Sequence, residues 1–511
     1  AATPADVEGG LFRMAFLADF QTMDLAQTTS DYFIPINVFD RLFEIEVAED
    51  GSTSIVGSLC TDYTLSEDGL TYTFHLRDGV TFSNGAALTA EDVLYSFSRL
   101  LTAGGVNDDI PLEIAGAGAL QSGAAATLEG FTILDDLSFT ITLAAPNAGF
   151  IAELTAPAVS IIDQDTTEAA TNYGIDVNET IGSGPYVITE WVTNDHFTLL
   201  ANENYWGEAP SVRKCIVNII PDASTQNLMF QNGELDVIDL DWLDSVIVSS
   251  TYEAKYADQI IPRARVALTY FAMNANDEYL SDVNVRKAVQ MSIDRQSIVD
   301  ALYNGYGTVL NGIIPKGVVG FNENGAEVTY DPEGAKALLN EAGYGEGEVK
   351  MEIALDSSSN PNVQLTCQII QQALEKVGIQ AEIVSYDESS WLATRKSGEM
   401  CSFIATWTMD YNDPANIMYT FFGNAEKTAI RSLNYADASV MDRVSAASSI
   451  VDDAARYAEY QDLEHTIIID DAAWVPMYST DHLFCIGDRV ANFIPHWAGY
   501  SDFSLLGMTL N

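Results

Sequence analysis

Residues 350–407 read KMEIALDSSSNPNVQLTCQIIQQALEKVGIQAEIVSYDESSWLATRKSGEMCSFIATW, and the succession of patterns inside them decides the fold class. Residues 350–355 form a strand. Asn360 then supplies an N-cap side chain, and Pro361 carries the fixed φ suited to a first helical residue. Apolar side chains recur at Leu365, Ile369, Ile370, Ala373, Leu374 and Val377, a helical stripe that Gly378 ends. Residues 380–384 make a second strand and 388–396 a short helix. Residues 401–407, nearly all apolar or small, make a third strand of the kind covered on both faces. Strand–helix–strand–helix–strand predicts a parallel sheet with right-handed crossovers, hence an α/β protein.

Working outward, one amphipathic helix is predicted over 285–303 and another over 332–342, capped by Asp331 and ended by Gly343. The first half is richer in strands. Residues 70–76 alternate and run into Asp78-Gly79. Residues 131–134 and 137–143 flank Asp135-Asp136 as a hairpin. Residues 116–127, rich in Gly and Ala, read as a loop. A chain of 511 residues exceeds one ordinary core and predicts two or three domains.

The formal net charge is −51. A surface this negative repels phosphate backbones and anionic headgroups, which argues against nucleic-acid binding. The sequence has no apolar run of about 18 residues, so no spanning helix is predicted. The small, acidic first ten residues read as a mature terminus, with any export signal already removed. Cys60, Cys215, Cys367, Cys401 and Cys485 show no CxxC spacing, so no zinc site is predicted. Their odd number leaves at least one free thiol, and Cys367 and Cys401 sit in apolar segments where buried thiols are usual. Five histidines without HExxH spacing, with no GxSxG and no P-loop, argue against an enzyme.

Asp410 follows Trp407 by three residues, just beyond the carboxyl end of the third strand, where open α/β sheets bind ligands. Residues 357–360 lie at the same end of a neighbouring strand. Against this stands a plainer reading, that Asp410 caps a turn in Asp-Tyr-Asn-Asp-Pro.

Six blocks, in order along the chain, resemble the family 5 solute-binding proteins of peptide-type ABC importers. They are residues 68–85 (DGLTYTFHLRDGVTFSNG), 88–97 (LTAEDVLYSF), Gly182-Ser183-Gly184-Pro185-Tyr186, Asn204-Tyr205-Trp206, Gly233-Glu234-Leu235-Asp236, and residues 285–295 (VRKAVQMSIDR). The resemblance implies a periplasmic-binding-protein-like, type II fold. Two α/β lobes close on ligand in an interlobe cleft, with an inserted α+β domain. By analogy the first lobe holds 1–41, 181–268 and 481–511, the insert 42–180, and the second lobe 269–480. The implied protein acts outside the cytoplasmic membrane, periplasmic or as a cell-surface lipoprotein held by a lipid anchor. It is monomeric, has no cofactor and no metal, and delivers its solute to ABC permease subunits.

Residues 407–414 (WTMDYNDP) resemble the segment whose acid binds the peptide's α-ammonium in oligopeptide-binding members, with Asp410 as that acid. Strips about Thr29 to Asp31, with Ser30 and Asp31 as candidate contacts, and Thr406 to Thr408, match those that hold peptide backbone. Trp407 and Tyr411 are candidates for lining side-chain pockets, and core packing is an equal reading of Trp407. Ser357 stands where dipeptide-binding relatives carry an arginine, and a serine supplies no fork of charged donors. Arg395 matches an arginine of oligopeptide binders, or is a surface cation at a helix end. The resemblance thus implies an oligopeptide ligand. Other relatives carry nickel chelates, haem, glutathione, opines or oligosaccharides, and a non-transport receptor on the same fold is a further alternative.

Overall fold

The computed structural model describes residues 10–28, 32–48 and 53–511. The chain divides into two compact units, one reaching to Arg263 and resuming over His482–Asn511, the other formed by Ala264–Asp481.

The first unit contains two cores. One lies on a four-stranded sheet in the order Leu11–Phe16, Lys214–Ile219, His196–Ala201, Tyr186–Val192, whose first pair is parallel and the rest antiparallel. Phe12, Phe33, Phe197, Phe484 and Phe503 fill it. The other lies on an antiparallel sheet in the order Cys60–Leu65, Thr71–Leu76, Ser138–Thr142, Phe131–Asp135. There the rings of Phe74, Phe139 and Phe131 stack in series. The hairpin forms as read. Residues 116–127 are not all loop, because Ala117–Gln121 closes one short helix with Ala117 and Leu120 buried. Small residues hid that apolar pair.

Three of the six blocks, at Gly182–Tyr186, Asn204–Trp206 and Gly233–Asp236, act as packing devices. Ser183 and Trp206 both donate to the buried carboxylate of Asp40, at 2.9 and 2.8 Å. Burial and the nearby Glu44 push the Asp40 carboxyl up to about 6 against those two bonds. Gly182 and Gly184 press on the Val38 backbone, where an added Cβ at Gly182 would lie 2.0 Å from the Val38 carbonyl oxygen. Asp236 accepts from Arg13 and Arg489, and these bonds outweigh its burial and hold its carboxyl below the usual range.

In the second unit, Lys350–Asp356 and Gln380–Tyr386 pair in parallel, and Ser402–Thr408 joins Lys350–Asp356 in parallel at Ala354–Phe403. The helices Pro361–Lys376 and Glu388–Lys396 connect them. Asn360 caps the first as expected, accepting from the Val363 N–H at 3.0 Å. The sheet is nevertheless mixed. Ala267–Met273 runs antiparallel to Ser402–Thr408 along its whole length, and Trp474–Ile486 runs antiparallel to Ala267–Met273. Nor is Ser402–Thr408 covered throughout: Ser402, Phe403 and Ile404 are buried, while Ala405 to Thr408 are half-buried or exposed. The helix predicted over 285–303 is two, Val283–Ser292 and Arg295–Leu302. Ile293 turns extended and Asp294 caps the second helix by accepting from the Ser297 N–H. Arg286 and Arg295 satisfy buried carbonyls around that break.

Glu464 makes the stability of this unit pH-dependent. Burial raises its carboxyl from 4.5 to about 7, against hydrogen bonds from the Ile314 and Ile313 N–H groups. Between pH 4.5 and 7 the folded state holds a proton that the unfolded chain has lost, so this residue's contribution falls as pH rises and its penalty is complete above about 7. Glu464→Gln removes the penalty. In urea unfolding the variant is expected to exceed the wild type by about 2–3 kcal/mol at about pH 8, with the gap closing near pH 4.5. A gap of the same size at both pH values would contradict the assignment.

Candidate functional site

Asp410 sits in the turn between Ser402–Thr408 and the helix Ala415–Phe422. Three side chains hold that turn. Asn412 Oδ1 accepts from the Val319 N–H at 2.9 Å. Asp413 Oδ1 accepts from the Ala415 N–H at 2.9 Å, and its other oxygen pairs with Arg456. Asn416 Oδ1 accepts from Trp407 Nε1 at 2.8 Å while its Nδ2 donates to Asp410 Oδ2 at 3.1 Å. Asn416 therefore fixes the indole and the carboxylate together. In the first turn of Ala415–Phe422 the backbone N–H of Ala415 is taken by Asp413.

Trp407 is half-buried. Phe421 meets its ring edge-on with centroids 5.3 Å apart, and the Arg431 guanidinium lies 5.6 Å from it and 4.8 Å from Phe421. Behind them Trp474 packs on Phe421 and stacks on Tyr270 at 4.4 Å. Burial pushes the Tyr270 hydroxyl up to about 12, although Arg395 and Arg431 both draw it down. Thr406 is exposed and shares a 2.8 Å hydroxyl hydrogen bond with Thr269. Pairing with Lys350–Asp356 is confined to Ala354–Phe403. From Ala405 to Thr408 that edge has no strand partner among the described residues.

The other expected residues lie elsewhere in the second unit or beyond description. Arg395 ends the helix Glu388–Lys396, with its guanidinium 5.2 Å from the Trp391 ring and its carbonyl accepting from Ser432. Ser357 is exposed, and its N–H donates to the Tyr386 carbonyl at 2.9 Å. Tyr411 is half-buried, and its carbonyl accepts from the Asp413 N–H at 3.0 Å. Ser30 and Asp31 fall outside the described residues. Sequence reading missed Asn416 and Arg431. An asparagine opening an apolar helix was the available signal for the first, and no local pattern marks the second.

Among the described residues one group has the composition of a metal site. Asp239, Asp241 and His482 bring one ligand atom each within 4.8 Å of one another. The fully buried His482 lies 3.1 Å from Asp239 and 3.6 Å from Asp241, geometry equally suited to an ion-paired imidazole. All five cysteines are unpaired thiols, with Cys401 only half-buried. Expected as a buried thiol, it lies instead 3.5 Å from the Asp277 carboxylate. No helix among the described residues is long and apolar enough to cross a membrane.

Residues 54–429 match the family described as bacterial extracellular solute-binding proteins, family 5 Middle. The chain is 30% identical to the dipeptide-binding protein of Escherichia coli K12 over 406 residues, 76% of this chain and 74% of that one. It is 27% identical to heme-binding protein A of Haemophilus influenzae, covering 91% of this chain and 86% of the relative. Among solved structures, the ABC transporter-associated periplasmic binding protein DppA from Helicobacter pylori, in complex with peptide STSA, superposes with a TM-score of 0.79 at 26% identity. That match covers 98% of each chain.

Proposed function

Because the chain belongs to family 5 of the bacterial extracellular solute-binding proteins, we propose that it captures an oligopeptide outside the cytoplasmic membrane and hands it to the permease subunits of an ABC importer. Its part in transport is binding rather than catalysis. The observation that carries the peptide reading is the Asp410 carboxylate, half-buried and oriented by Asn416, at the end of a strand edge without a strand partner among the described residues. A carboxylate so placed gives a charge-assisted hydrogen bond to an α-ammonium. The edge from Ala405 to Thr408 offers backbone groups to an extended peptide, which binds in that way whatever its side chains. Ser357 offers no guanidinium for a ligand carboxylate close by, which favours a peptide longer than two residues. The division into a first lobe, an insert over 42–180 and a second lobe is part of the same proposal, supported by the separate core of Phe74, Phe131 and Phe139.

The second reading is a non-peptide solute, favoured by the likeness to heme-binding protein A over 91% of the chain. Calorimetry with a peptide and its N-acetylated form separates the two. The acetylated form is expected to bind at least about tenfold more weakly, because the cation that pairs with Asp410 is gone. Equal binding of both forms would remove the amino-terminal anchor. No binding of either, with a non-peptide solute found by mass spectrometry of the purified protein, would favour the second reading.

A further inference from the structure

The second unit also contains a cavity of about 700 Å³ to which the Trp407–Pro414 segment contributes no wall. One wall is residues 310–331, 22 residues between Gly307–Val309 and Pro332–Glu341 without helix or strand. Structureless segments of that length in a compact domain are usually functional or disordered, and this one is pinned. Arg295 donates to the carbonyls of Leu310 and Val328 and to the Asn311 side chain. Gln461 donates to the Gly320 carbonyl at 3.0 Å. The opposite wall is the end of the helix Asp453–His465 and its π-helical continuation Thr466–Asp470, a distortion frequent at functional sites.

Glu464 faces this cavity and is only 8% exposed. Its Oε1 accepts the N–H groups of Ile313 and Ile314 at 2.5 and 2.8 Å. Its Oε2 receives no hydrogen bond among the described residues. The wall is built around this carboxylate: at Gly312 an added Cβ would lie 2.1 Å from Oε1. Oε2 is not sealed from solvent, so a donor that enters the cavity can reach it. Glu323 and Glu327 also line the cavity against Lys316 and His465, and Arg295 beneath feels the Glu327 charge. With Glu464 ionised, carboxylates outnumber the cationic groups on the walls, which favours a positive ligand. Phe321, Ile468 and Ile469 offer apolar surface beside the carboxylate.

We propose that this cavity is a second ligand site, which takes a small organic ammonium cation with a short apolar body, its N–H groups donating to Oε2 of Glu464. Such a cation binds the ionised carboxylate. Burial holds Glu464 protonated up to about pH 7, so binding displaces a proton and weakens as pH falls below that value.

Calorimetry with butylamine and the neutral isostere butanol tests the site, in about 0.5 M salt to screen the acidic surface. Butylamine is expected to saturate one site at about pH 8 and to bind about tenfold more weakly at about pH 6. Glu464→Gln is expected to lose at least about tenfold at pH 8, and the same loss is expected in the Asp410→Asn background, where the other candidate ammonium site is removed. Absence of saturable binding, equal binding to Glu464→Gln, or butanol binding as well as butylamine would each overturn the proposal. Loss of butylamine binding in Asp410→Asn would also overturn it, by placing the amine at the peptide site.

Discussion

Replacing Asp410 by alanine is expected to lower the affinity for a peptide with a free amino terminus by roughly thirtyfold or more, from the 2–5 kcal/mol typical of truncating one partner of a buried, hydrogen-bonded charge pair. The size of the effect comes from what is left behind: an ammonium that must leave water without meeting a carboxylate. Alanine also removes the acceptor for Asn416 Nδ2, whose Oδ1 holds Trp407, so this variant changes charge and positioning together. Asp410→Asn separates them. Its amide oxygen still accepts from Asn416, so the indole stays in place while the charge is lost. If charge carries the binding, the asparagine variant falls nearly as far as alanine for the free peptide and neither changes affinity for the N-acetylated peptide. Calorimetry of both variants with both peptides reads this out, with thermal midpoints as the folding control. Wild-type affinity of Asp410→Ala for the free peptide would remove Asp410 from the site.

The parts of this architecture that read cleanly from sequence are those set by local chemistry. Asn360 before Pro361, Asp331 before Pro332, and Gly378 and Gly343 at left-handed φ values of 91° and 93° each mark a boundary through their own backbone. The break at Asp294 uses the same chemistry. It was obscured because apolar residues continue through Ile293 into the next helix, and periodicity alone cannot see two non-helical residues between two helices. The mixed sheet was not legible from residues 350–407 because direction against Ala267–Met273 is decided by chain crossings far away in sequence. The same distance effect separates the candidate site residues. Asp410 and Trp407 stand out by their place at a strand end. Arg431 comes to the rings of Trp407 and Phe421 from beyond the next helix, Ala425–Ala429. Glu464 is one acidic residue on a helix in a chain of 74 acidic residues, and only the loop folded over it makes it unusual. The recognisable blocks that carry Ser183, Trp206, Asp236 and Arg286 act otherwise: these residues are bonded inside the fold, which is why they identify the fold more sharply than the ligand.

The turn that carries Asp410 depends on the pair Asp413–Arg456, whose side chains are 2% and 3% exposed. Burial works against the Arg456 charge, but Asp413 and Asp453 outweigh it and hold its guanidinium firmly protonated. Arg456→Met leaves the Asp413 carboxylate buried and uncompensated, and is expected to destabilise the second unit by about 3–5 kcal/mol. Asp413→Asn is expected to cost less, because Asn keeps an acceptor for the Ala415 N–H and Asp453, 2.9 Å from Arg456, still faces the guanidinium. The double variant should be more stable than the sum of the two losses, since an uncharged pair of similar volume replaces a charged one and no unpaired ion remains. Denaturant unfolding of the four proteins closes the cycle. Additive losses, or an Arg456→Met loss below about 1 kcal/mol, would mean that the pair is not the anchor of this turn. The same variants connect stability to binding. Asp413 lies between Asp410 and Asn416, so a loosened turn misplaces the carboxylate even where the unit remains folded. Arg456→Met should therefore weaken peptide binding well below its melting temperature, and the double variant should restore it in step with stability.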